Sequence, residues 1–121
     1  MNSLRLKENL KKYTRTESCP VRNVISRFSG KWSMLVLCVL SENEATRFSA
    51  IGRALPDISP KVLSETLKNL EADRLISRKL YPEVPPKVEY SLTELGRSLI
   101  PIIGELISWA ADNYDVFVKN D

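Results

Sequence analysis

The chain has 121 residues, of which 43% are hydrophobic and 27% charged, with a net charge of +3, two cysteines and no histidine. That length predicts one domain with a modest core, and the lack of histidine excludes Ser-His-Asp triads, Cys-His dyads and His-ligated zinc. Two cysteines are too few for a disulfide framework, and no stretch approaches the ~18 apolar residues of a membrane helix. The first residues also lack the apolar run of a signal peptide. We therefore expect a cytoplasmic binding protein rather than an enzyme, with no metal, cofactor or membrane partner.

The positive charge is distributed unevenly along the chain. Residues 1–31 contain eight Lys or Arg and two Glu, whereas residues 91–121 contain two basic and five acidic residues. One interpretation is that the basic part contacts a polyanion and the acidic tail has another task. The other is ordinary charge scatter, and the distribution alone leaves both open.

The first part of the chain predicts two segments. Residues 1–18 are polar and lysine-rich, and we interpret them as an arm or a short helix that precedes a single domain over residues 19–121. Cys19-Pro20 then begins a helix, because proline is favoured at the first helical position. Its apolar stripe consists of Val21, Val24, Ile25 and Phe28. The inner face predicted for the following helix consists of Trp32, Leu35, Val36, Val39 and Leu40.

The middle of the chain predicts two helices joined by a tight turn. A short helix directs Phe48, Ile51 and Leu55 inward, and the turn follows at residues 55–58. Ser59 can cap the amides of a helix that begins at Pro60 and continues to about Asp73. That helix is expected to bury Leu63, Leu67 and Leu70.

A hairpin and a long helix complete the pattern. Residues 75–81 and 87–92 are predicted strands, and three prolines in residues 82–86 stiffen the tip between them. Thr93 is predicted to cap a last helix that contains Pro101 and reaches Phe117. The fold class is therefore α+β, mainly α: a winged helix-turn-helix with a two-strand wing and a long C-terminal dimerisation helix.

The second helix of such a pair lies in the DNA major groove, and a basic wing follows the phosphate backbone. The helix side chains expected to approach DNA are Ser59, Lys61, Ser64, Glu65 and Lys68. The wing side chains expected to approach phosphates are Arg78, Lys79 and Lys87. The opposing interpretation is that most surface helices carry charged residues on their outer face.

Six runs of the sequence form a distinctive set: Cys19-Pro20-Val21, Gly30-Lys31-Trp32, Arg47-Phe48, the turn at residues 55–64, residues 67–71 and the wing run at residues 81–96. Together they resemble the HxlR-type winged helix-turn-helix transcription regulators. The resemblance covers about residues 19–110. It implies a bacterial or archaeal homodimer that binds duplex DNA at paired half-sites.

Two positions depart from the pattern of that family. Residues 42–46 lack the Gly-Pro often found before the Arg-Phe pair, and Arg74 stands where such proteins often have a glycine at a helix end. If that position needs a left-handed backbone, Arg74 costs on the order of 1 kcal/mol.

The two cysteines have different settings in the sequence. Cys19 lies at the start of a helix, where the helix dipole favours a thiolate, and the resemblance implies thiol sensing at this position. The competing interpretation is a helix cap or a half-buried small side chain. Cys38 lies in an apolar run and is expected to be a core residue.

The last helix has more apolar residues than one stripe requires, which favours a dimer interface. Its expected members are Ile102, Ile103, Leu106, Ile107, Trp109 and Ala110. The alternative is that these side chains wrap the small core of a lone domain. The alternative function is a winged-helix protein-interaction module that does not bind DNA. An effector, if one exists, is not specified by the sequence.

Overall fold

A computed structural model describes residues 3–13 and 20–118, and the chain divides into two compact units at residues 30 and 31. The first unit contains helices α1 (Ser3–Tyr13) and α2 (Pro20–Ser26). Residues 3–13 are thus helical, the form that the short-helix interpretation of the N-terminal segment expects. The predicted boundary at residues 18 and 19 lies outside the described residues. Proline at the first position of α2 agrees with its preference for helix starts.

The second unit contains the predicted helix-turn-helix and wing. Its elements, in chain order, are α3 (Lys31–Leu40), β1 (Thr46–Arg47), α4 (Phe48–Ala54), α5 (Pro60–Ala72), β2 (Ile76–Tyr81), β3 (Lys87–Leu92), α6 (Glu94–Asp112) and α7 (Tyr114–Val118). In the described ranges, no helix is both long enough and apolar enough to cross a bilayer.

The strands form an antiparallel sheet in the order β1-β3-β2. The predicted two-strand wing, β2 and β3, is confirmed, and β1 adds a third strand that pairs with β3 through Thr46 opposite Tyr90. A strand of two residues carries no alternating pattern from which the sequence could reveal it. Within the hairpin, Arg78 lies opposite Tyr90 and Tyr81 lies opposite Lys87.

The core of the second unit lies between the helices and the base of the wing. Its apolar side chains are Val36, Leu37, Leu40, Ile51, Ile58, Leu63, Leu67, Leu70, Leu75, Ile76, Leu92 and Ile103. The inward side chains predicted for α5 are all among them. Phe48 and Leu55 of the short-helix segment are half-buried, whereas Ile51 is fully buried.

The face predicted for α3 requires a correction. Leu37, which was not assigned to the inner face, is fully buried, whereas Leu35 is exposed. Trp32 and Val39 are half-buried. Because α3 is apolar on nearly every side, its periodicity cannot identify the side that faces the core.

Helix α5 has defined signals at both ends. The Ser59 hydroxyl accepts a hydrogen bond from the Val62 amide at 3.1 Å, which confirms the predicted cap. At the other end, the Leu75 amide donates to the Leu70 carbonyl and the Arg74 amide to that of Glu71, each at 3.0 Å. This pair of bonds is a Schellman motif, which requires a left-handed residue. Arg74 occupies that position with φ of 62°. The backbone is therefore left-handed at the position where similar proteins often have a glycine.

The start of α6 is fastened to the end of α5. The Thr93 hydroxyl accepts from the Gly96 amide at 3.1 Å, as predicted for a cap, and donates to the Arg74 carbonyl at 2.6 Å. Gly96 lies so close to the backbone of Leu75, which follows α5, that a Cβ atom at Gly96 would lie 2.0 Å from the Leu75 carbonyl oxygen. The Thr93 hydroxyl and the close approach of Gly96 thus link the end of α5 to the start of α6.

The last helix ends earlier than predicted. Helix α6 continues through Pro101 but stops at Asp112, and a separate short helix α7 contains Phe117. The side-chain amide of Asn113 donates to the Trp109 carbonyl at 2.9 Å, and so does its backbone amide at 3.1 Å. An asparagine that satisfies a terminal carbonyl in this way favours the end of a helix.

Candidate nucleic-acid interface

The outward side of α5 carries the side chains predicted for base contacts. Lys61, Glu65 and Lys68 are exposed, and Ser64 is half-buried. Ser59 is exposed as well, and its hydroxyl already accepts the capping bond from Val62. A hydroxyl has one proton to donate besides its lone pairs, so Ser59 can cap the helix and still donate to a phosphate.

A groove of about 350 Å³ separates α5 from the wing. It is lined by Phe48, Ser64, Lys68, Glu71, Arg78 and Tyr90. Three of these residues recur at helical spacing on α5, and two are cross-strand partners in the hairpin. The structure therefore brings three predicted residues, Ser64, Lys68 and Arg78, into one place. Sequence reasoning missed the other three. Glu71 lies one turn beyond Lys68 on the same side of α5, whereas Phe48 and Tyr90 meet the groove through the pairing of β1 with β3.

The wing has two chemically different faces. Side chains alternate along a strand, and directly opposed residues share a face, so Arg78 and Tyr90 lie on one face and Lys79 and Glu89 on the other. The first face borders the groove beside α5. The three predicted wing cations are thus divided: Arg78 lies on the face that borders α5, whereas Lys79 and Lys87 belong to the opposite face.

Tyr81 organises that opposite face. The ammonium groups of Lys79 and Lys87 each lie 4.8 Å from the centroid of its ring, within cation–π distance. Lys87 also lies 3.6 Å from a carboxylate oxygen of Glu89. These contacts hold two cations at the base of the proline-rich tip.

Two of the side chains that line the groove, Lys68 and Arg78, are cations. In the part of the chain that the structure describes, neither Lys68 nor Arg78 forms an ion pair, although Glu71 lines the same groove. Two unpaired cations at the border between a helix and a wing form a local positive potential that attracts phosphate. Residues 3–13 and 20–118 contain no cluster of three or more acidic or cysteine side chains suited to a metal ion.

The residues predicted for a dimer interface differ in exposure. Ile102, Leu106 and Trp109 are 63%, 50% and 57% exposed, and Ala110 is exposed too. Ile103 is 1% exposed, which places it in the domain's own core instead, and Ile107 is half-buried. Leu95 extends the exposed stripe to the first turn of α6, an extension that the prediction omitted.

The two cysteines cannot be compared directly, because Cys19 lies outside the described residues. Cys38 is a free, half-buried thiol, so its predicted place in the core is only partly realised. Burial raises the pKa of the Cys38 thiol, and the nearby Glu42 carboxylate raises it further. Cys38 is therefore mostly protonated at neutral pH, and the protonated thiol is unreactive.

Helices α4 and α5 and the hairpin that follows them form a winged helix-turn-helix. The model of the HxlR-like helix-turn-helix family matches residues 27–117. The chain therefore belongs to that family, whose members are transcriptional regulators.

A relative and two solved structures agree with this assignment. An uncharacterised HTH-type transcriptional regulator of Methanothermobacter thermautotrophicus is 48% identical over 91 residues, which cover 75% of this chain and 69% of the relative. The oxidised redox regulator HypR has a TM-score of 0.73 at 39% identity, over 78% of this chain and 97% of its own. The reduced transcriptional regulator YodB from Bacillus subtilis has a TM-score of 0.66 at 36% identity, over 85% and 97%.

Proposed function

We propose that the protein regulates transcription by binding duplex DNA as a homodimer. The carrying observation is the meeting of Ser64 and Lys68 on α5 with Arg78 on the wing at one outward groove. A helix and a wing that present cations on the same side fit a major groove and its adjacent phosphates. Membership in a family of transcriptional regulators supports this function.

The residues of α5 and the wing have separate roles in this proposal. Lys61, Ser64, Glu65 and Lys68 approach base edges, where lysine suits guanine and a carboxylate accepts from cytosine N4. Ser59 and Arg78 contact phosphates beside the helix. Lys79 and Lys87 approach the phosphate backbone of the DNA from the other face of the wing. Cation–π contacts with Tyr81 hold both ammonium groups there.

Two copies of the domain would pair through the exposed stripe of α6. Ile102, Leu106 and Trp109 supply its centre, with Ala110 and Ile107 beside them. A two-fold dimer places two recognition helices about 34 Å apart, so that they meet one face of a pseudo-palindromic operator. The small core of a 121-residue chain makes such pairing favourable.

The test is selection of bound sequences from random duplex DNA, followed by titration at several salt concentrations. Arg78→Ala and Lys87→Ala should each weaken binding and lower the salt slope by about one unit, because each removes one phosphate-neutralising charge. Lys61→Ala should weaken binding chiefly to the selected sequence, because it removes a base contact. Arg97→Ala is the matched control, since Arg97 is an exposed cation on α6. Unchanged affinity and slope in all three variants would contradict the assignment. Salt-insensitive partner binding without DNA protection would instead support a protein-interaction module.

We also propose that Cys19 is a thiol switch that controls DNA binding. Cys19 directly precedes the first residue of α2, where the positive end of a helix favours a thiolate. The similar redox regulator HypR has been solved in both an oxidised and a reduced form, which supports a redox response of this chain.

Alkylation rates measured against pH test this switch. Cys19 should react with an apparent pKa clearly below the free value of about 8.5, and oxidation should change operator affinity. Cys38 is the internal control, because burial raises its pKa and keeps it protonated as Cys19 ionises. Each rate is measured in the variant that lacks the other thiol, Cys38→Ser or Cys19→Ser. A Cys19 pKa at or above the free value would exclude the switch.

A further inference from the structure

We propose that the groove between α5 and the wing is also an effector site for a small aromatic monoanion that bears a hydrogen-bond donor. The inference rests on the proposed function only for its regulatory consequence, since the binding itself needs no DNA. The ligand class follows from the charges, the rings and the size of the groove.

The charged side chains of the groove select an anion. Lys68 and Arg78 contribute two positive charges and Glu71 contributes one negative charge, so the lining has a net charge of +1. Neither cation is engaged in an ion pair within the described part of the chain. A ligand carboxylate can therefore accept charge-assisted hydrogen bonds from both, and the Arg78 guanidinium can bind it through two parallel bonds.

The Glu71 carboxylate adds a second requirement. A second anionic group on the ligand would be repelled by Glu71, whereas a hydroxyl could donate a hydrogen bond to it. Ser64 offers a further hydroxyl beside Lys68 on the same side of α5. The polar lining thus favours one carboxylate at one end and one neutral donor at another.

The remaining lining side chains are aromatic. Phe48 at the start of α4 and Tyr90 on the central strand β3 contribute two rings. Aromatic rings pair favourably with other rings, in offset or edge-to-face geometry. A groove of about 350 Å³ is at the small end of ligand sites, which span roughly 300–1,000 Å³, so it suits a single ring.

Such a ligand would compete with DNA. Ser64, Lys68 and Arg78 are the same side chains that the proposed function assigns to the operator. A bound carboxylate would cancel the net positive charge of the lining and occupy the space beside α5. Because coupling between two ligands is reciprocal, operator DNA should lower the affinity for the aromatic anion by the same factor by which the anion lowers the affinity for DNA.

The probe is 4-hydroxybenzoate, titrated into the ¹⁵N-labelled full-length protein without DNA. The amide signals of Ser64, Lys68, Arg78 and Tyr90 should shift together with one saturation curve. Cyclohexanecarboxylate tests the need for an aromatic ring, 4-hydroxybenzyl alcohol tests the need for a negative charge, and benzoate tests the donor to Glu71. Each should bind more weakly than 4-hydroxybenzoate.

Two variants locate the site. Arg78→Gln should lower the affinity for 4-hydroxybenzoate by roughly tenfold or more, because it removes a charged hydrogen bond. Tyr90→Leu keeps an apolar side chain in the sheet but removes the ring, and it should also weaken binding. Arg97→Gln removes one positive charge on α6, outside the groove, and should leave the affinity unchanged.

Three results would overturn the effector site: no shifts at millimolar 4-hydroxybenzoate, shifts outside the groove, or equal losses in Arg78→Gln and Arg97→Gln. A separate operator titration distinguishes the two proposals. Operator binding that 4-hydroxybenzoate leaves unchanged would refute the effector role but not the regulator. Saturable 4-hydroxybenzoate binding without any DNA binding would refute the proposed function and keep the ligand site.

Discussion

Helix α6 has two apolar faces that meet different environments. One face carries Gly96 and Ile103, both buried against the rest of the second unit. The other carries Leu95, Ile102, Leu106 and Trp109, all half or more exposed. The difference shows that one helix can complete a core along one side and remain available for assembly along the other. Hydrophobicity alone does not distinguish the buried face from the exposed face. The close approach of the Leu75 backbone to Gly96 does identify the buried one.

The strongest way to break the buried face is Gly96→Ala. The new methyl group would lie 2.0 Å from the Leu75 carbonyl oxygen, so α6 or the loop after α5 must move. We expect a loss of about 3 kcal/mol or more in the free energy of unfolding, measured by urea denaturation.

Gly104→Ala is the control within the same helix. A methyl group at Gly104 has no heavy atom within 4 Å, so alanine's better helix propensity should stabilise the protein by up to about 1 kcal/mol. Similar stability of both variants would contradict the tight contact at Gly96.

The exposed face is tested by Leu106→Glu. A charge at the centre of the stripe should raise the dimer dissociation constant by roughly tenfold or more, measured by sedimentation equilibrium, because the carboxylate would be buried without a partner. The far-UV circular dichroism of the variant should match that of the parent, since Leu106 is half exposed in the lone chain.

Ser108→Glu serves as its control, because Ser108 is exposed on α6 at a position that does not share the stripe. If both variants dissociate alike, or neither does, the stripe is not the interface.

The smallest effect is expected at Arg74, the residue after α5 whose carbonyl binds the cap of α6. Arg74→Gly should raise the free energy of unfolding by about 1 kcal/mol, because glycine adopts a φ of 62° without steric cost. Arg74→Ala separates the backbone from the side chain: it removes the guanidinium but keeps the strain, so thermal unfolding should show no comparable gain. An equal gain from both variants would attribute the effect to charge.

Much of this architecture could be predicted from local signals. Ser59-Pro60 and Thr93 mark helix starts by chemistry that acts within one turn, and both caps are present. The alternating run at residues 87–92 gives β3 with its observed bounds. The suspected left-handed residue at Arg74 is also confirmed, since a helix end of this type constrains one backbone position.

The rest depends on contacts between distant segments. Gly96 looks like an ordinary helix residue until Leu75 is placed against it, and Ile103 resembles Ile102 until the core is assembled. The groove required the register that sets Arg78 opposite Tyr90. A list of cations could not reveal which face of the wing each would occupy, because a shift of one residue in that register exchanges the faces.

The position of β2 at the margin of the sheet has a consequence for solubility. Its outer backbone groups could pair with a strand of another molecule and begin edge-to-edge aggregation. Arg78 and Lys79 place adjacent positive charges on that strand, and two such edges would repel each other. The prolines of the neighbouring tip cannot donate backbone hydrogen bonds, so an incoming strand would find an interrupted template. The cations that we assign to DNA thus also protect the free chain against aggregation through the edge of its sheet.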